Sequence, residues 1–453
     1  RSNAACYSTA LGYDANASAQ ASTAIGICSQ ASGRFSIAIG GQYANSEGNY
    51  ATAIGYSAKA NTEGAIALGS NSSATNTSAI SIGKNTTANG LSSTALGDSA
   101  EASGFSSTSL GRLANASGTS STAVGYAATA SNDGSTALGL SATASGSSST
   151  AVGRSATAGT DSTALGRLAN ASARYATAVG RLSIANGNFS TAIGASSSAN
   201  GNSSTALGRL ANAGGDYSQA FGYKATANVA NSTAIGTNAS ASGINATAMG
   251  LDANASGRAS LALGRSASSS GNVSTALGAH SNAASENSLA VGYYANATGE
   301  RSLAVGFRSN SSGQASIAIG RNASSSGAKS IALGVWSDAS GTDAISIGSN
   351  SSATVIDSIA VGDNSTASGS YSIAIGEQSR ANGYQATAFG RFSKATNSGT
   401  TASGTYANAS GLRSTAIGGY SKSTANYAAS IGYGSITSGE YSTALGARAT
   451  ANS

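Results

Sequence analysis

Proline is missing altogether from these 453 residues, charged residues make up only 9%, and there is one Trp, one Met, one His and two Cys. Each shortage excludes something. Without proline, and without glycine at every third position, the chain is not collagen-like. With so few large side chains it cannot assemble the conventional cores that a chain of this length would ordinarily divide among two to four domains. No stretch approaches the roughly 18 uninterrupted apolar residues of a membrane-spanning helix, so no direct membrane insertion of this segment is expected. A single His and scattered acidic residues leave no acid–base pair, catalytic triad or His-based metal site to assemble, so the reading is non-enzymatic, with no cofactor and no metal. Disorder is excluded from the other side: 40% of the residues are hydrophobic and the net charge is only +6. That charge, with no basic block and no regular stacking platform, argues against nucleic-acid binding.

What the chain has instead is glycine, 60 of them, and alternation. An apolar residue followed by glycine recurs from Gly12 to Gly446 at 32 anchors, and 29 of the 31 intervals are 14 residues long; one of 15 follows Gly40 and one of 13 follows Gly153. The residue before the anchor is large and apolar in every rung but one, where it is Ser403, and the residue before that is always Ala or Ser. Such alternation has the period of a β-strand, with small side chains on one face and large ones on the other. A second alternation follows in each rung, as at Ala15 and Ala17 or Ala253 and Ala255, and closes on a glycine expected to supply a positive-φ turn. Fourteen residues therefore read as two short strands and two corners. Stacked rungs make an all-β parallel solenoid, a single continuous β-roll over residues 1–453 of about 32 rungs and roughly 150 Å.

The Ala columns would fill a thin interior. The column Leu11, Ile25, Ile39 and onward through Leu207, Leu263, Ile319 and Ile375 would point the other way, beside Thr9, Thr23, Ile37, Thr52 and Ile66. A stripe that long exceeds the few hundred Å² of contiguous apolar surface a soluble monomer tolerates, so self-association is expected, and a cyclic trimer closes it.

Units such as Ser36 to Gly40, Ser190 to Gly194 and Ser372 to Gly376, each followed by its small-residue alternation, resemble the head repeats of trimeric autotransporter adhesins, the YadA-like head. The resemblance covers nearly the whole chain. It implies a left-handed parallel β-roll, a homotrimer with the apolar column on the three-fold axis, an extracellular place on a bacterial surface, and adhesion to a host matrix protein or glycan ligand. The family's neck, coiled-coil stalk and membrane anchor are not found in this sequence. The ends carry no capping sequence, which raises a second reading, head-to-tail self-association into filaments with a scaffold role. A third, ice binding, follows from the Thr column between Thr94 and Thr205, though that column shares its face with the large apolar residues.

Three local features remain. Arg154, Arg167 and Arg181 follow the anchor glycine on consecutive rungs, where they form either a solvated corner or an anion or glycan-sulfate patch. Asn-x-Ser/Thr triplets at Asn16, Asn115, Asn170, Asn254, Asn296 and Asn408 are either acceptors for sugars or a by-product of polar residues flanking a buried Ala. Cys6 and Cys28 occupy different rung positions; they form a disulfide, within or between subunits, or stay free.

Overall fold

The structure is a computed structural model that describes residues 1–452. It divides into two units, Arg1–Ala230 and Asn231–Ser453, and every regular element among the described residues is a short β-strand. Each unit repeats one rung: a strand mostly of three residues, a corner, a strand of two residues, and a second corner.

In the first unit the longer strands stack as one parallel ladder and the shorter strands as another. Thr177–Val179 pairs with Thr191–Ile193 through Thr177↔Thr191, Ala178↔Ala192 and Val179↔Ile193, while Ser198–Ala199 pairs with Asn212–Ala213. The second unit is built alike, with Ile317–Ile319 on Ile331–Leu333 and Ser324–Ser325 on Asp338–Ala339. Identical rung positions therefore face each other, so one residue type written every 14 positions becomes a column.

The two irregular intervals are absorbed inside single corners of the first unit. The extra residue at Gly41 extends one strand to Ile37–Gln42 and shifts the register between Ile25 and Ile27, so that Ile27 pairs with Gln42. The missing residue after Gly153 shortens the opposite corner, where the Asp161 N–H still donates to the Ser147 carbonyl at 2.8 Å. The strands Thr150–Val152 and Thr163–Leu165 stay in register beyond it.

The interior holds only small side chains. Ala columns from both ladders are wholly buried, and the largest fully buried side chains are Thr86, Thr400 and Thr437. Where Ser replaces Ala several hydroxyls find a partner inside, as in Ser311–Ser316 at 2.6 Å and Ser346–Ser351 at 2.7 Å, which satisfies groups that would otherwise cost about 1–3 kcal/mol each if buried unpaired; Ser46 and Ser379 are buried without one. The Ser before the longer strand closes its corner on some rungs, where Ser330 Oγ donates to the Gly327 carbonyl at 2.7 Å, while at Ser36, Ser107 and Ser218 the hydroxyl is buried without a partner. Where it forms, this local bond gives the leading Ser a role that Ala cannot fill.

The corners differ from the expectation. The second glycine of the rung does not supply the positive φ. Gly327 lies outside that region, and what it provides is clearance, since a Cβ there would sit 1.8 Å from the carbonyl oxygen of Gly341. The left-handed residue comes two positions later and is seldom glycine: Lys329 at φ 56°, then Asp343 at 54° and Asp357 at 55°. The anchor glycine is unlike both, with φ near +137° at Gly320, and the residue two after it is again left-handed, as at Trp336 with φ 59°. A left-handed residue with a side chain costs about 1–2 kcal/mol. The ladder offsets this, because the N–H of each donates to the carbonyl of the preceding rung, Trp336 to Arg321 at 2.9 Å and Asp343 to Ala328 at 2.9 Å.

Candidate functional site

The interior holds nothing but small residues, so along each unit a contact with a partner is made by the two outward faces and the two corners. The face of the longer strands carries the apolar column. Leu11, Ile25, Ile39 and Leu207 in the first unit and Leu263, Ile319 and Ile375 in the second all point outward, half-exposed or exposed, while the alanines between them are buried. Leu207 is 47% exposed and its neighbour Ala206 is 0%. The second column of this face is Thr on every rung from Thr94 to Thr205, and becomes aliphatic at Leu289, Leu303, Ile317, Ile331, Ile345, Ile359 and Ile373. Over those seven rungs of the second unit both outward columns are apolar.

The face of the shorter strands is polar, and its side chains bond along the stack. Asn282 Nδ2 donates to Asn296 Oδ1 at 2.9 Å and Asn296 Nδ2 to Asn310 Oδ1 at 2.8 Å. Asn and Ser or Thr of the Asn-x-Ser/Thr triplets stand two apart on this outward face, as strand periodicity requires. One carboxylate sits here with its charge disfavoured: burial raises the Asp338 pKa above its ordinary value of 3.8.

The corner after the anchor glycine carries Arg154, Arg167 and Arg181, exposed on consecutive rungs. Among the described residues none of the three is in an ion pair, whereas Arg112 lies 3.9 Å from Asp98 and Arg391 lies 3.0 Å from Glu377. Cys6 and Cys28 are free thiols. Cys6 lies in the corner that leads into Thr9–Leu11 and Cys28 in the other corner, after Thr23–Ile27. A shallow hollow lined by Cys28, Gln30, Tyr43, Asn45 and Lys59 lies beside the register shift. Among the described residues no group of three His, Cys, Asp or Glu side chains gathers that could hold a metal ion.

Aromatic ladders are what the sequence reading missed. Phe392 stacks on Tyr406 at 4.7 Å between centroids and Tyr406 on Tyr420 at 5.1 Å; Tyr427 stacks on Tyr441 at 5.0 Å. Arginines join them, Arg391 over Phe392 at 4.7 Å and Arg174 over Tyr175 at 4.7 Å. The signal was available, since these rings lie 14 residues apart at one rung position. It is hidden when each rung position is read only for its commonest residue.

A family profile described as "YadA head domain repeat (2 copies)" matches the chain in 18 overlapping or adjoining segments, beginning with residues 7–27 and 17–42 and ending with 423–449, so that nearly all of 7–449 is covered. Among solved structures, the crystal structure of the collagen-binding domain of the Yersinia adhesin YadA aligns at 24% identity over 39% of this chain and 69% of that one, with a TM-score of 0.15. No curated protein matches.

Proposed function

The chain belongs to the YadA head domain repeat family, and from that premise we propose that it is an extracellular, surface-displayed adhesin head that works as a homotrimer. The observation that carries the trimer is the apolar face of the longer strands, with Leu207 47% exposed, Leu277 40% and Leu333 41% in a single chain. Soluble monomers rarely leave more than a few hundred Å² of contiguous apolar surface in water, and a three-fold axis along this face would bury all three copies of the column at once. Every surface feature would then be presented three times at each rung level. Weak contacts to a matrix protein or glycan would add through high effective concentration, which suits adhesion built from many similar sites. Arg154, Arg167 and Arg181 are proposed as one such contact for anionic groups.

Light scattering on the purified chain tests the subunit number. The expected mass is three times 43.3 kDa, and a mass of one chain at micromolar concentration would overturn the trimer. Ile319→Asp supplies the second arm. Three carboxylates brought together in a dry interior are strongly unfavourable, so the variant should dissociate or melt well below the wild type. A stable trimer of Ile319→Asp would show that this column does not face the axis.

A further inference from the structure

One corner of the second unit concentrates cations and rings without any carboxylate. In the two columns after the anchor glycine, the rungs from Arg265 to Trp336 read Arg265–Ser266, Ala279–His280, Tyr293–Tyr294, Phe307–Arg308, Arg321–Asn322 and Val335–Trp336. At a strand spacing of about 4.8 Å these six rungs span about 24 Å. Arg265, Arg308 and Arg321 are exposed, and among the described residues none of them is in an ion pair.

The side chains are organised by one another. His280 stacks on Tyr294 at 4.7 Å with an interplanar angle of 8°, and Tyr293 stacks on Phe307 at 5.6 Å and 19°. The two stacks meet edge to face where Tyr293 and Tyr294 adjoin, at 4.5 Å and 89°. The Arg308 guanidinium lies 5.3 Å from the Phe307 ring centre and 5.9 Å from that of Tyr294, an arrangement that holds the cation in place without neutralising it. At the other end, an Arg265 guanidinium nitrogen lies 2.9 Å from His280 Nε2. A guanidinium can only donate, so Nε2 accepts and the imidazole proton sits on Nδ1.

We propose that this corner, from Arg265 to Trp336, binds an acidic polysaccharide, a sugar chain bearing sulfate or carboxylate groups. The site offers pre-oriented guanidinium N–H groups, the hydroxyls of Tyr293 and Tyr294, and ring edges, which carry the positive end of the aromatic quadrupole. Anionic groups and sugar hydroxyls are what that set of donors recognises. Nucleic acid fits less well: single strands bind by stacking bases on free ring faces, and here the facing sides of His280 and Tyr294, and of Tyr293 and Phe307, cover each other. The proposal names a ligand chemistry for the adhesin reading, but it does not depend on subunit number.

The test is calorimetric titration of the full chain at about 0.15 M salt with heparin, using neutral dextran and oligo(dT) as comparators and light scattering on every variant. Heparin should bind and dextran should not. Arg308→Gln with Arg321→Gln should weaken heparin binding at least tenfold, and Tyr293→Phe with Tyr294→Phe several-fold, with the wild-type mass retained in both. Absence of heparin binding, or binding that survives both pairs of substitutions, would overturn the proposal. So would oligo(dT) binding tighter than heparin, which would make this a nucleic-acid surface. A changed mass in the Arg variant would mark the corner as a seam between subunits and overturn it too. Loss of heparin binding at an unchanged trimer mass separates failure of this site from failure of the trimer.

Discussion

Gly320→Ala asks whether the anchor glycine is a position that no side chain can occupy. At φ +137° the backbone there is one that residues with a Cβ rarely adopt, and a Cβ would stand 2.2 Å from the Gly334 carbonyl oxygen and 2.7 Å from its carbonyl carbon. Both are backbone atoms of the next rung, with no rotamer to give way. Ordinary contact begins near 3.4 Å, so the rungs would have to part by about 1 Å from their usual strand spacing of about 4.8 Å. Parting them stretches the bonds from Gly334 N–H to the Ile319 carbonyl and from Trp336 N–H to the Arg321 carbonyl, both 2.9 Å. Two weakened bonds at about 1 kcal/mol each and backbone strain of about 1–3 kcal/mol give a loss of about 3–5 kcal/mol.

Gly41→Ala is the matched control, because a Cβ at Gly41 would meet nothing within 4 Å and its φ is not positive; it should stay within about 0.5 kcal/mol of wild type. Urea unfolding reads the size of the effect, and amide hydrogen exchange followed by mass spectrometry reads its place. Rungs in a solenoid touch only their neighbours, so the Gly320 variant should lose protection mainly between Gly306 and Gly348. A Gly320→Ala chain with wild-type unfolding and wild-type exchange at Gly334 and Trp336 would refute the reasoning.

The interior makes a second claim. Ala318→Leu should cost about 3 kcal/mol or more through overpacking, whereas Ala318→Ser should cost less than about 1 kcal/mol, its hydroxyl bonding across the interior as Ser109 does to the Ala114 carbonyl at 2.7 Å; denaturant unfolding of the two variants checks the contrast. Val273, a β-branched residue at φ 54° and 58% exposed, is strained with little packing to lose, so Val273→Asn should stabilise by about 1 kcal/mol, measured as a rise in melting temperature. Asp338 has its pKa raised by burial, so its ionised form is disfavoured in the fold and the cost is present above the folded pKa. Asp338→Asn should therefore melt higher than wild type at pH 7, and the gap should close as the pH falls through the folded pKa toward 3.8; a gap independent of pH would assign the effect to something other than charge.

The rung itself was legible because each residue type is written once per period. Leu and Ile before the anchor glycine, and Ala or Ser before them, fixed which side of the longer strand is buried, and Leu207 against Ala206 bears that out. The corners were not legible in the same way. Glycine is the residue expected where φ is positive, and the rung does contain a second glycine, so Gly327 took a role that belongs to Lys329. The reason lies in the ladder. A left-handed lysine is unfavourable in isolation, but here its N–H is held by the carbonyl of Gln314 at 2.7 Å, and only the stacked rungs provide that partner. Close approach of one rung's backbone to the next likewise exists only once they stack.

The same division explains where variation, and with it recognition, can reside. Interior positions accept Ala, Ser and occasionally Thr, and the anchor position of Gly320 holds glycine on every rung, whereas the position of Gly327 also holds Thr62, Ser285 and Val355. The left-handed corner positions hold Trp336, Lys329, His280, Asp343, Phe392 and Ser155 on one backbone geometry, because for side chains without a β-branch the strain is set by φ and is offset by the rung before them. A corner column is thus a row of sites about 4.8 Å apart on which almost any side chain can be displayed at nearly constant backbone cost. Substitution there should alter what the surface binds far more than whether the chain folds. Exchanging Tyr294 for Ser, the residue found at the equivalent Ser266, therefore should leave the unfolding midpoint within about 0.5 kcal/mol of wild type while removing the ring that stacks on His280. A collapse of stability in Tyr294→Ser would mean that the aromatic stack holds the rungs together, and that these corners serve the fold before they serve a ligand.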